Sequence, residues 1–261
     1  MLSEFGLTGS AIPLMGGQEA SWRVGDAVVK PLDMQPASLA WQSGLLTRLD
    51  GREDFRVSLP LHAADGALVV DGWTAWRYEA GSHLPRRWRD IIEAGRCLHA
   101  AIETEPEPPF LRARTDRWAI GDQVAWGDLP VPEWADTDHV PVLAAAVRPV
   151  DGRPQLIHGD LTGNILFADD LPPLVIDLSP YWRPPRFAAA IVVADALAFE
   201  GADATLLEQL RDDPDFAQYL LRALIYRIVT DRVPRPDRLQ AGTHDPYRFA
   251  VELAVGLAGS G

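Results

Sequence analysis

The chain has one cysteine and one lysine. A single cysteine, Cys97, excludes an internal disulfide and a cysteine-rich metal site. No run of eighteen apolar residues occurs, so no membrane-spanning helix is expected. The opening residues, Met1-Leu2-Ser3-Glu4-Phe5, have neither the basic start nor the apolar run of a signal peptide, and the cytoplasm is the compartment to expect. There is no internal repeat and no low-complexity tract. The histidines His62, His83, His99, His139 and His244 are scattered and suggest no zinc site.

Positive charge is also scarce. Lys and Arg total 24 against 37 Asp and Glu, for a net charge of −13. A surface of that sign repels nucleic-acid phosphates, so no nucleic-acid partner is expected. It attracts cations, although solubility alone explains such a balance equally well. What remains is 261 residues, 47% of them apolar, enough for one large domain or two lobes with a real core. Because arginine supplies nearly all the basic residues, Lys30 marks a place where a compact ammonium is wanted instead of a planar fork.

The first eighty residues read as strands with one helix. Strand-like segments cover 11–15, 21–24, 27–32, 56–61, 67–70 and 73–78, with turn chemistry at Asp65-Gly66 and Asp71-Gly72. Leu39, Trp41, Leu45 and Leu46 predict a helix over 36–48. After Gly81 the pattern turns helical. Trp88, Ile91, Ile92, Gly95, Leu98 and Ile102 share a face over 85–102, with Pro85 at the start, and Cys97 reads as a core residue of this helix. A Pro- and Trp-rich connection runs over 105–135, then a helix over 138–147. Three short apolar strands follow at 155–157, 165–167 and 174–176. Helices are expected at 186–199, 204–211, 215–230 and 246–258. The expected division is 1–80 and 81–261.

The strand cluster carries the chemistry. It contains Ile157-His158-Gly159-Asp160-Leu161-Thr162-Gly163-Asn164, then Ile176-Asp177-Leu178-Ser179. Asp160, Asn164 and Asp177 each sit just outside an apolar segment. Phosphoryl transfer needs positioning and charge neutralisation more than covalent chemistry. A carboxylate and an amide oxygen, Asp177 and Asn164, are the hard donors that Mg²⁺ accepts, and Asp160 is left to orient a substrate hydroxyl.

His158-Gly159-Asp160-Leu161 with Asn164 resembles the catalytic loop of the aminoglycoside phosphotransferase and choline kinase superfamily. Asp177-Leu178-Ser179 resembles its metal-binding motif, and Ala27-Val28-Val29-Lys30 resembles the strand that carries the ATP-phosphate lysine. The resemblance implies an α+β, protein-kinase-like bilobal fold, with a small antiparallel-sheet N-lobe and a larger helical C-lobe. It implies an ATP- and Mg²⁺-dependent phosphotransferase acting on a hydroxyl of a small molecule. Asp160 is then the catalytic base, Asn164 and Asp177 hold Mg²⁺, and Lys30 holds the ATP phosphates. Gly16-Gly17 falls where the phosphate-covering loop lies, and Tyr78-Glu79 where a hinge contacts adenine. His158 is a structural support of the loop, and Asp195 a helix aspartate that braces it. The acceptor is read no further than a small molecule, cationic and polyhydroxylated compounds both being open; Trp182 is the tryptophan to watch for stacking. The oligomeric state is open.

Two departures matter. Three residues separate Asp160 from Asn164 where the family has four, and Gly163 is the residue that permits a tighter turn. Residues 36–48 hold no carboxylate to pair with Lys30, which leaves it to phosphate or to Asp177. A nucleotide-binding pseudokinase with a regulatory or partner-binding role is the alternative reading.

Overall fold

The alternation in the first part of the chain becomes a four-stranded antiparallel sheet. In a computed structural model, the described residues are 1–14, 21–135, 139–208, 213–233 and 245–259. In chain order the elements are β1 (Ile12–Pro13), β2 (Trp22–Val24), β3 (Ala27–Pro31), α1 (Pro36–Leu49), β4 (Arg56–Val57), β5 (Trp73–Arg77), α2 (Trp88–Ala101), α3 (Arg117–Trp126), α4 (His139–Ala146), β6 (Gln155–His158), β7 (Ile165–Ala168), β8 (Leu171–Val175), β9 (Pro180–Arg183), α5 (Pro185–Phe199), α6 (Thr205–Glu208), α7 (Phe216–Arg232) and α8 (Arg248–Gly259). Packing groups the chain into two units. The first is Met1–Leu84 with Gly163–Leu178, and the second is Pro85–Thr162 with Ser179–Gly261.

In the first unit the sheet order is β1-β2-β3-β5. Register pairs Lys30 with Thr74 and Val29 with Ala75. Phe5, Val24, Val29, Ala63 and Ala75 close one face into a small core. Asp71 and Gly72 both take positive φ, 51° and 79°, as a two-residue hairpin turn requires. The strand expected over 67–70 shrinks to the single pairing of Val70 with Trp73, because that tight turn leaves only one rung. The strand expected over 56–61 is regular only at Arg56 and Val57, with a further pairing of Pro60 to Trp76. A second sheet, β4-β8-β7, joins β4 parallel to β8, and β8 antiparallel to β7. This pairing groups residues 163–178, with Asn164 and Asp177, in the first unit.

The second unit is helical. α7 is its centre: every residue from Phe216 to Tyr226 is buried, Gln218 and Arg222 included. Phe187 of α5 meets both Tyr226 and Trp126 edge-on. The two-stranded pair β6–β9 sets Ile157 opposite Tyr181 and His158 opposite Pro180. β9 was not foreseen, nor was α3, which lies inside the expected connection. The nearby prolines hid α3, yet its caps are in the sequence. Asp116 accepts from the Trp118 and Ala119 N–H groups at 3.1 and 3.0 Å, and Gly127 ends the helix at φ 75°. α2 starts at Trp88, three residues after Pro85, because Arg86 sits at φ 63° and breaks the helical run. Cys97 is half-buried at the edge of α2 and not in the core. Among the described residues no helix is long and apolar enough to cross a membrane.

The cap of α3 is testable. Asp116→Ala removes the side-chain oxygen that accepts from both backbone N–H groups, and the ion pair with Arg114. It is expected to cost about 0.5–2 kcal/mol in urea unfolding. Asp116→Asn keeps an acceptor and is expected to recover most of that loss. Equal losses in the two variants would assign the effect to the ion pair alone.

Candidate active site

The sequence-predicted residues fall into two clusters, one in each unit. In the first unit β3 carries Lys30 inward. Its ammonium donates to Asp177 Oδ1 at 2.6 Å and to Asp33 Oδ2 at 2.9 Å. The Lys30 side chain is 9% exposed, whereas Asp177 is 49% exposed. Burial alone would lower the lysine pKa, but the two carboxylates outweigh burial and hold it above its ordinary value. The ammonium therefore stays charged. Asp177 takes φ 46°, the left-handed region that aspartate tolerates better than most residues.

The carboxylate missing from α1 is not replaced by another acid. Gln42 of α1, 2% exposed, donates from Nε2 to the Leu178 carbonyl at 3.0 Å and so ties the helix to the residue after Asp177. Asn164 opens β7, and its carbonyl accepts the Ile176 N–H at 3.0 Å, which sets it beside the segment that carries Asp177. Gly163, just before it, has φ 82°, the turn the shortened loop demands.

Magnesium, which the resemblance implies, takes hard oxygen donors and keeps several waters. A half-exposed carboxylate and a neighbouring amide suit it. Among the described residues no group of three or more His, Cys, Asp or Glu gathers as a metal cage. The ion would therefore complete its shell with phosphate and water oxygens, and the donor set fits.

In the second unit Asp160 follows β6. His158 is fully buried, and its ring Nδ1 accepts the backbone N–H groups of Asp160 and Ser179, each at 3.3 Å. The His158 N–H in turn donates to His99 Nε2 of α2 at 3.0 Å. Burial, and then the neighbouring His158, push the His99 pKa down to about 3, so that ring is neutral. Arg227 of α7 lies across the loop. It donates to Asp160 Oδ1 at 2.8 Å and to both oxygens of Asp195 at 2.7 and 2.6 Å. Burial opposes its charge, but Asp195 and Asp160 hold its pKa well above the usual arginine value. Asp195 thus reaches the loop through Arg227.

Of the other expected residues, Tyr78 carries the Arg23 guanidinium over its ring at 3.7 Å. Glu79 accepts from Arg77 Nε at 2.6 Å and Arg56 Nη1 at 3.2 Å. Gly16 and Gly17 lie outside the described residues. Sequence reasoning named Gln42, with Ser38 and Ser43, as the polar candidates on α1, and missed Asp33, His99 and Arg227. The signal was present for one of them: an arginine within the mostly apolar run 216–230 has to find buried acceptors, which Arg222 finds in the Gln218 and Arg148 carbonyls and Arg227 in carboxylates.

Solved structures with the same architecture are small-molecule kinases. Spectinomycin phosphotransferase APH(9)-Ia, solved with ADP and spectinomycin, matches with a TM-score of 0.59 at 12% identity, over 99% of this chain and 95% of that one. A thermostable mutant of aminoglycoside phosphotransferase APH(4)-Ia, solved with AMP-PNP and hygromycin B, gives 0.60 at 15% identity, over 99% and 96%. Choline kinase LicA from Streptococcus pneumoniae gives 0.58 at 13% identity, over 99% and 96%. The chain has the aminoglycoside phosphotransferase and choline kinase fold. The α+β, protein-kinase-like architecture expected from the motifs is therefore the one present. No family model and no curated protein matches the sequence.

Within that fold the buried groups make two predictions. His99 is neutral when folded and titrates near 6.5 when unfolded. The unfolded chain therefore binds the extra proton between pH 6.5 and 3. Stability from this group is full above 6.5 and falls by about 1.4 kcal/mol per pH unit through that window. His99→Gln, followed by urea unfolding against pH, is expected to flatten this slope; an unchanged slope would remove His99 as its source. Arg227→Met leaves Asp195 buried without its cation and is expected to cost about 3–5 kcal/mol. Pairing it with Asp195→Asn is expected to restore much of the loss. A double variant as unstable as the single one would mean that packing, not charge, is what Arg227 supplies.

Proposed function

We propose that the protein is an ATP- and Mg²⁺-dependent phosphotransferase that acts on a hydroxyl of a small molecule. The observation that carries the reading is the ion pair of the chain's one lysine with Asp177, from positions 147 apart in sequence. Both were singled out as nucleotide-site residues on motif grounds alone, in a chain whose fold is shared with small-molecule kinases.

Lys30 binds the nucleotide phosphates, exchanging one carboxylate for phosphate oxygen without losing a charged partner. Asp177 and Asn164 supply the protein donors for Mg²⁺, whose chemistry when bound is to neutralise charge on the phosphates. Asp160 orients the acceptor hydroxyl and takes its proton. The acceptor oxygen forms a bond to the γ-phosphorus as the bond from that phosphorus to the bridging oxygen breaks, and ADP leaves. Arg227 fixes the rotation of the Asp160 carboxylate through Oδ1, and His158 fixes its backbone. These are positioning roles.

A second reading has its own support. The loop between Asp160 and Asn164 is one residue short, and α1 offers Gln42 where a carboxylate would stand. A pseudokinase that keeps nucleotide and transfers nothing accounts for both.

Asp160→Asn separates the two. It is expected to keep the nucleotide-dependent rise in Tm and to lose acceptor-dependent ADP release by about 10²-fold or more. Turnover unchanged in the variant would rule Asp160 out as the base. A wild-type protein stabilised by ATP equally with and without Mg²⁺, and releasing no ADP with any acceptor or with water, would favour the pseudokinase.

A further inference from the structure

The second unit holds a cavity of about 400 Å³ between α3, the turn over 109–113 and β9. One of its lining residues, Tyr181, reaches the loop that carries Asp160. β9 pairs with β6 so that Tyr181 faces Ile157, and the Tyr181 ring lies so close to Gly159 that a methyl group there would collide with it. Trp182, the next residue, lines the cavity and is half-buried.

The charges on this wall are already matched. Arg183 donates to both oxygens of Asp122, at 2.8 to 3.2 Å, and to Asp128 Oδ2 at 2.5 Å. Arg112 holds both oxygens of Glu107. Each lining carboxylate therefore has a guanidinium partner, and Asp122 is 8% exposed, so its pairing with Arg183 is built into the fold. What the wall still offers is hydrogen bonding of both kinds. Arg183 Nη1, Arg112 Nη1 and the Gln123 amide are donors, and Asp128 Oδ1 is an acceptor, that bond no other described residue.

We propose that this cavity binds a neutral, polyhydroxylated ring, a sugar or cyclitol, with the face of the ring against Trp182. Use of that ring as the phosphate acceptor rests on the phosphotransferase reading above; the binding itself does not. A hydroxyl donates and accepts at once, so it meets the leftover donors and acceptors without breaking an ion pair. An indole offers apolar surface to the C–H face of such a ring. A polycation has to compete with an arginine for each of these carboxylates, of which Asp122 and Glu107 are held by both oxygens. The net charge of −13 draws cations to the surface in general, but the cavity wall does not share that surplus.

The test is saturation-transfer NMR on the full chain without nucleotide. The neutral probes are D-glucose, myo-inositol and trehalose; the cationic probes are spermidine and kanamycin. Transfer to the neutral probes is expected, undisturbed by equal concentrations of the cationic ones. Trp182→Ala is expected to weaken it about tenfold, and Trp182→Phe to retain most of it. Absence of transfer to every neutral probe at tens of millimolar (about the weakest useful range), displacement by a polycation, or indifference to Trp182→Ala would each overturn the proposal. Polyol binding by a protein that transfers no phosphate would defeat the kinase reading and leave this one standing. Phosphate transfer to kanamycin with no polyol binding would do the reverse.

Discussion

A guanidinium on a buried helix needs acceptors where it stands, and the loop that carries Asp160 supplies one of them to Arg227. Arg227 projects from α7, whose neighbours in sequence are almost all apolar. Its nearest anions are Asp195 on α5 and Asp160 on the loop after β6. Removing Arg227 leaves the buried Asp195 without its cation in a setting of low dielectric, where that is most costly. The same contact that satisfies the helix therefore fixes the orientation of the loop carboxylate. Below the loop, a second chain of contacts runs through neutral histidines, from His99 to the His158 N–H and from His158 to the Asp160 and Ser179 N–H groups. The loop is held by charge on one side and by uncharged hydrogen bonds on the other. Both holds act at Asp160 or before it, so one residue can be absent between Asp160 and Asn164 without freeing Asp160.

Much of this was legible before the fold was known, and for definable reasons. The helices over 36–49, 185–199 and 216–232 announce themselves by apolar spacing, and proline at the start of the first two fixes their entry. Lys30 stood out by scarcity. Asp160, Asn164 and Asp177 stood out by their place at the ends of short apolar segments. What stayed hidden was what depends on distant pairing. β9 is a strand only because β6 lies beside it, and its own sequence, Pro-Tyr-Trp-Arg, carries no alternation to read. α3 has good caps but sits among prolines that suggested a connection. Asp195 was expected to brace the loop, yet its means of doing so, Arg227, lies on a helix that reads as core. The assignment of residues 163–178 to the first unit follows from the parallel pairing of β4 with β8, which two-residue strands do not advertise.

The one lysine and the many arginines divide the electrostatic work by geometry. Arg183 with Asp122, Arg77 with Asp50, Arg112 with Glu107 and Arg227 with Asp195 are forked contacts in which two N–H groups meet one carboxylate. Such pairs lock orientation and suit places where nothing should move. Lys30 instead presents a compact charge that two carboxylates share at 2.6 and 2.9 Å. A point charge can surrender one oxygen for another without a change in its own geometry. A planar fork at that position would hold Asp177 by both oxygens and compete with any metal for them. On the function proposed above, a chain so biased towards arginine keeps its one lysine where the bound partner has to change, and that supports an exchanging anion at Lys30 more strongly than the distance to Asp177 taken alone.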